Sequence, residues 1–128
     1  MSFQSDFRST LVSDATVTSL VGERIYPVRL PQGVTLPAIV YFRTGGRTEH
    51  KPGAQTTGST RNFIIQVQAI GRNYDEADAV EEAIYAKLDD TEGQPISCRP
   101  LGETQDLYDP ETKQFITASD YSIWYKPL

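Results

Sequence analysis

A chain of 128 residues with 38% apolar residues is sized for one domain that buries its own core. The lone Cys98 excludes an intrachain disulfide, and with the single His50 it leaves too few ligands for a zinc site. Net charge is −5 and unevenly spread: residues 1–71 carry +3, residues 72–92 carry −6 and residues 93–128 carry −2. The acidic middle argues against duplex nucleic acid as a partner of that stretch. The N-terminus has no basic-then-apolar signal and no run approaches membrane-spanning length, so a soluble protein made in a reducing cytoplasm is expected, with no membrane partner.

Ser2–Ser13 has helical spacing, with Phe3, Phe7 and Leu11 four apart on one face. Asp14 is a cap for a second short helix, Ala15–Val21, which Gly22 ends. Arg24–Arg29 is β-prone but carries Pro27, so it is expected at a sheet edge. Leu30–Pro37 is a Pro/Gly loop, and Ala38–Thr44 alternates as a strand. Gly45–Thr60 contains four Gly, a Pro and no apolar residue larger than Ala54; it is expected to be a flexible, functional loop.

Arg61–Ile70 is the clearest strand: Phe63, Ile65, Val67 and Ala69 form an apolar face, and the opposite face is mixed, as in a sheet covered on one side. Asn73–Leu88 is the strongest helical pattern. Ala77, Val80, Ala83, Ile84 and Leu88 share a stripe, Asn73 can cap it, and Glu76 stands in the capping-box position. Ile96–Tyr108 reads as a strand broken around Pro100 and Gly102. Asp109–Thr112 is a hairpin turn and Lys113–Lys126 a last long strand. The order α-α-β-β-β-α-β-β predicts an α+β fold over residues 1–128, a mostly antiparallel sheet with helices packed on one face and a flexible loop at 45–60.

Reactive groups do not converge. Cys98 and His50 are far apart in sequence, the glycines of 45–58 lack the Lys-Ser/Thr of a phosphate loop, and Asp75, Glu76 and Asp78 are helix N-terminal acids without a calcium loop. Catalytic, cofactor and metal residues are therefore all expected to be none. Arg43, Arg47, His50, Lys51 and Arg61 form a basic loop region suited to an anionic or protein partner.

The segment Val21-Gly-Glu-Arg-Ile-Tyr-Pro27 after a short helical region, followed by Leu36-Pro-Ala-Ile-Val-Tyr41, resembles the opening of the tail completion proteins of long-tailed bacteriophages and prophages, also called tail terminator or tail-to-head joining proteins. The strand ending in Gly71, the helix start Tyr74-Asp-Glu-Ala77 and the late run Asp120-Tyr-Ser-Ile-Trp-Tyr125 are similar to that family's second half. The resemblance spans nearly the whole chain. It implies a structural virion protein, assembled in the host cytoplasm, that closes as a ring, commonly of six copies, on the head-proximal end of the tail tube. Such a ring stops tube elongation and offers a docking surface to the head. The implied partners are other copies of itself, the major tail tube protein and a head-completion or connector protein. DNA passes through the ring without specific binding, and no cofactor is implied.

No side-chain signature of that family assigns a role to a residue of this chain. From the residues themselves, Arg24, Tyr26, Ile116, Trp124 and Tyr125 are candidates for subunit contacts on edges at Arg24–Val28 and Ile116–Lys126. Asp75, Asp78, Glu81 and Glu82 are candidates for bordering the DNA channel, where like charge discourages adhesion. Two alternatives remain open: a head-completion or neck connector subunit, and a small cellular module that binds an anionic ligand through the basic loop.

Overall fold

The computed structural model describes residues 3–48, 61–93 and 95–126. The elements are α1 (Phe3–Val12), α2 (Ala15–Val21), β1 (Ile25–Pro27), β2 (Ala38–Thr48), β3 (Arg61–Gly71), α3 (Tyr74–Asp89), β4 (Ile96–Asp109) and β5 (Gln114–Tyr125). They build the α+β architecture that the periodicities predict. The sheet runs β1-β2-β3-β5-β4, with β1 parallel to β2 and every other pair antiparallel.

Local chemistry sets the element ends. The Asp14 carboxylate accepts the N–H groups of Thr16 and Val17 at 2.8 and 3.2 Å, satisfying two free donors of α2. Gly22 then leaves the helix with φ 61°, which glycine adopts without a Cβ penalty. Asn73 Oδ1 accepts the Glu76 N–H at 2.8 Å and starts α3. The reciprocal half of the expected capping box is different: Glu76 reaches past the cap, accepting the Arg72 N–H at 2.9 Å and pairing with its guanidinium at 2.8 Å. Between β3 and α3 the chain turns so tightly that a Cβ on Gly71 would lie 2.7 Å from the Ala77 nitrogen.

Burial alternates along β3 from Phe63 to Ala69, so one face of the sheet is closed and the other open except toward Ile70, where Ala38, Val40, Ile70 and Ala118 are buried as well. The closed face gathers Ile39, Tyr41, Phe63, Ile65, Val67, Tyr121 and Ile123 under Phe7, Leu11, Val17, Val80, Ile84 and Leu88 of the three helices. Full burial of each such side chain contributes roughly 1.5–3 kcal/mol, so this layer dominates stability. Phe3 joins α1 to the sheet end through Phe63 and Tyr125, with ring centroids 4.5 and 5.3 Å away. Tyr125 Oη donates to the buried Asp6 carboxylate at 2.6 Å.

Two expectations are corrected. The strand expected to stop at Thr44 continues as β2 to Thr48, pairing Gly45–Thr48 with Arg61–Ile64 after a bulge between Arg43 and Gly45. Backbone pairing needs no side chain, so a Gly-rich sequence can complete the ladder that β3 requires. Residues 49–60 of the expected loop lie outside the described residues. Secondly, Ile116–Lys126 is not an edge: β5 is bonded on both sides, to β3 and to β4, and the outer strand is β4. The hairpin turn at 110–113 folds β5 back into the place beside β3, leaving β4 outermost. Among the described residues no helix is long and apolar enough to cross a membrane.

Candidate assembly surfaces

The basic region divides. Arg43 and Arg61, from neighbouring strands, both place guanidinium carbons over the Phe63 ring, 5.2 and 4.6 Å from its centroid. They form an exposed cationic spot at the end of the sheet, held by cation–π attraction. Arg47 falls within β2, opposite Asn62. His50 and Lys51 lie outside the described residues, as does the His50 half of any Cys98–His50 pair.

Cys98 itself is buried on the closed face, and burial pushes its thiol up to about 12, with Lys87 only partly opposing the shift. A thiol held protonated in this way is a packing group and a poor nucleophile. Among the described residues, no three His, Cys, Asp or Glu side chains come together to hold a metal ion.

The candidates for subunit contact take three different positions. Tyr26 is half-buried on edge strand β1, whose other neighbour Arg24 spends its Nε on the Pro37 carbonyl at 3.0 Å. Ile116 and Trp124 are half-buried on the open sheet face, in register with Ile70 and Asn62. Tyr125 is corrected: it is only 5% exposed and points into the core toward Asp6, because it shares the parity of Tyr121 and Ile123. The open face around Trp124 is bound laterally by polar side chains. Asn62 Nδ2 donates to Ser122 Oγ at 2.9 Å, Gln66 Nε2 to Asp120 at 3.4 Å and Gln68 Nε2 to Gln66 at 3.0 Å. These amides lie on a side of the sheet that carries no helix among the described residues.

The acidic candidates also differ among themselves. Asp75 and Glu82 are exposed on α3 and Asp78 is half-buried. Glu81 faces inward over β5, where Ser119 Oγ donates to it at 3.3 Å. Burial holds its carboxyl above the usual range, and Asp78, Glu82 and Asp106 push the same way. The sheet adds an acid that the helix pattern does not contain. Asp106 on β4 accepts from the Tyr74 hydroxyl at 3.2 Å and from Thr117 at 3.3 Å, joining the strand to the acidic helix. The Tyr74 phenol is consequently raised, first by the Asp106 charge.

Two surface features were not anticipated. Val28 is 66% exposed with φ 71°, a left-handed conformation that is an outlier for a β-branched residue. It borders a cleft of about 340 Å³ with Phe3, Gln4, Tyr41, Phe42, Arg43 and Ile65. On the opposite strand, β4 exposes Leu101, Leu107 and Tyr108 beside a register shift between Pro100 and Thr104. The proline and glycine flanking Leu101 signal the irregularity; nothing in the residue types around Val28 signals its backbone.

Comparison with known proteins follows the same lines. No curated protein sequence matches the chain. Among solved structures, a chain of the "Virion of native gene transfer agent (GTA) particle" has the same fold. Its TM-score is 0.65 at 15% identity, covering 97% of this chain and 94% of that one. The sequence profile described as "Tail completion protein gp17" matches residues 6–126, from the first turn of α1 to the residue after β5. A match of that extent means that the chain belongs to the tail completion protein gp17 family and is a structural phage tail protein, not an enzyme.

Proposed function

We propose that this protein closes as a ring, of six copies, on the head-proximal end of the tail tube, where it stops tube elongation and presents the surface on which the head docks. The observation that carries the reading is the pair of unlike outer strands. β1 is a short, proline-ended edge and β4 a long, irregular one, at opposite sides of one sheet. A subunit with two different sides can repeat head to tail around an axis, which is the contact a ring requires. Family membership supports the tail end as the place of action.

In this reading the major tail tube protein lies on one side of the ring, a head-completion or connector protein on the other, and DNA passes through the centre without specific binding. The Arg43 and Arg61 spot, with Arg47, His50 and Lys51, contacts the tube or connector. Asp75, Asp78 and Glu82 border the channel and keep DNA from adhering. Glu81 contributes least to that field because its carboxyl is held over β5.

Mixing the protein with purified tail-tube subunits tests the reading. Tubes capped at one end and limited in length are the expected result. Tubes of unrestricted length, or binding along their sides, would overturn it and favour a head-completion or neck role. Deleting residues 48–58 should abolish capping if that segment meets the tube.

A further inference from the structure

The two free sides of the sheet are chemically complementary. They are four interstrand steps apart, roughly 19 Å. Residues 22–43, which contain β1, carry three arginines against Glu23, for +2. Residues 74–109, which contain α3 and β4, carry two bases against eleven acids, for −9. Arg29 and Arg43 are exposed, and among the described residues neither is paired with a carboxylate.

Each side also exposes an apolar residue, and the register puts the two in one row. The Val28 N–H donates to the Tyr41 carbonyl at 2.8 Å, which sets Val28 beside Phe42. Phe42 is opposite Gln66, and Gln66 opposite Asp120. Pro100 is opposite Tyr121 and Thr104 opposite Ser119, so residues 101–103 are what stands across from Asp120. Leu101, 44% exposed, therefore occupies on one side the row that Val28, 66% exposed, occupies on the other.

We infer that neighbouring copies meet through these two sides, the Leu101 bulge of one copy seating on the Val28 edge and its adjoining cleft in the next. The inference rests on the ring reading and specifies its contact. A rotation about an axis running along the strands keeps rows level, so the two apolar residues meet. It also sets the acids of α3 and β4 against Arg29 and Arg43, and this steers the encounter. Pairing like sides would juxtapose arginines with arginines or acids with acids, which disfavours a two-fold dimer. The exposed valine in a strained backbone conformation is explained as the rim of the seat that receives the Leu101 bulge, since strain of this kind persists where function uses it.

Oxidative crosslinking tests this with Val28→Cys and Leu101→Cys proteins, singly and mixed, in the presence of tail-tube ends, with buried Cys98 left in place. The mixture should crosslink at least fivefold more than either single variant, and the double variant should give a ladder ending in a closed ring by native mass spectrometry. Adding Arg29→Glu, which lies outside the tube-contact spot, should reduce the mixed crosslink roughly twofold, as one screened surface charge reversal allows. Rings without the mixed crosslink would overturn this contact and leave the ring reading standing. Crosslinking of a single variant as strong as the mixture would overturn the head-to-tail arrangement. Neither rings nor crosslinks at tube ends would overturn both.

Discussion

Deleting one oxygen from Tyr125 removes the hydrogen bond to Asp6 that ties the N-terminal helix to the last strand. Its hydroxyl donates to Asp6 at 2.6 Å, and each residue is 5% exposed. Tyr125→Phe keeps the ring that meets Phe3 edge-on at 5.3 Å, so the packing stays and the polar contact goes. A hydrogen bond to an ionised acceptor contributes about 1.5–3 kcal/mol net, and a loss of about 2 kcal/mol is expected. With a specific unfolding entropy of about 2.1 cal/mol/K per residue, 128 residues give roughly 0.27 kcal/mol/K, so Tm should fall by roughly 7 °C. A double-mutant cycle with Asp6→Ala, read by urea denaturation, should return a coupling of about 2 kcal/mol. The pH dependence adds a second check. Burial, then Asp6, raises the phenol to about 12, so the stabilisation is present below the unfolded value of about 10 and is lost as pH rises through 12. The deficit of Tyr125→Phe should accordingly shrink in that interval. A coupling below about 0.5 kcal/mol, or a deficit independent of alkaline pH, would refute the reasoning.

Gly71→Ala should lower stability by about 1–3 kcal/mol, because its Cβ would meet the Ala77 backbone at 2.7 Å; an unchanged urea midpoint would count against the close approach. Tyr121→Phe should be neutral or stabilising by up to about 1 kcal/mol. The hydroxyl is buried and makes no well-formed hydrogen bond among the described residues, Ser119 being the one side chain close enough to oppose its raised pKa; a large loss in a thermal melt would show that the Ser119 contact matters. Glu81 has a raised folded pKa, so its share of stability is present below the unfolded carboxylate value and is lost as pH rises through the folded one. Glu81→Gln should therefore exceed the wild type in Tm at neutral pH, with the gap closing at about pH 4; a gap constant across that range would show that burial is not the cause.

The elements with one dominant local signal were legible before the fold. α3 follows from a five-residue apolar stripe behind Asn73, and β3 from strict alternation of Phe63, Ile65, Val67 and Ala69. The hairpin turn at 110–113 follows from the Asp109-Pro pair. The extension of β2 through Gly45–Thr48 was not legible, because glycine and threonine look like a loop unless a waiting strand supplies the partner. Among functional residues, Arg43 and Arg61 stood out by charge, and their meeting over Phe63 required two strands in register. Arg24–Val28 was legible as an edge, but the exposure of Val28 and Leu101 was not, since an isolated apolar residue in a sequence has no direction.

By itself the sequence determined the three helices and the apolar portions of the strands, which of their faces are apolar, and that the acids concentrate in one helix. Those properties repeat over neighbouring residues and survive without knowledge of distant contacts. Only the tertiary structure decided that β5 lies inside the sheet and β4 at its border, and with that which side chains face a neighbour. Strand order depends on which backbone edges remain free after distant segments have paired, and no local pattern of residues records that choice.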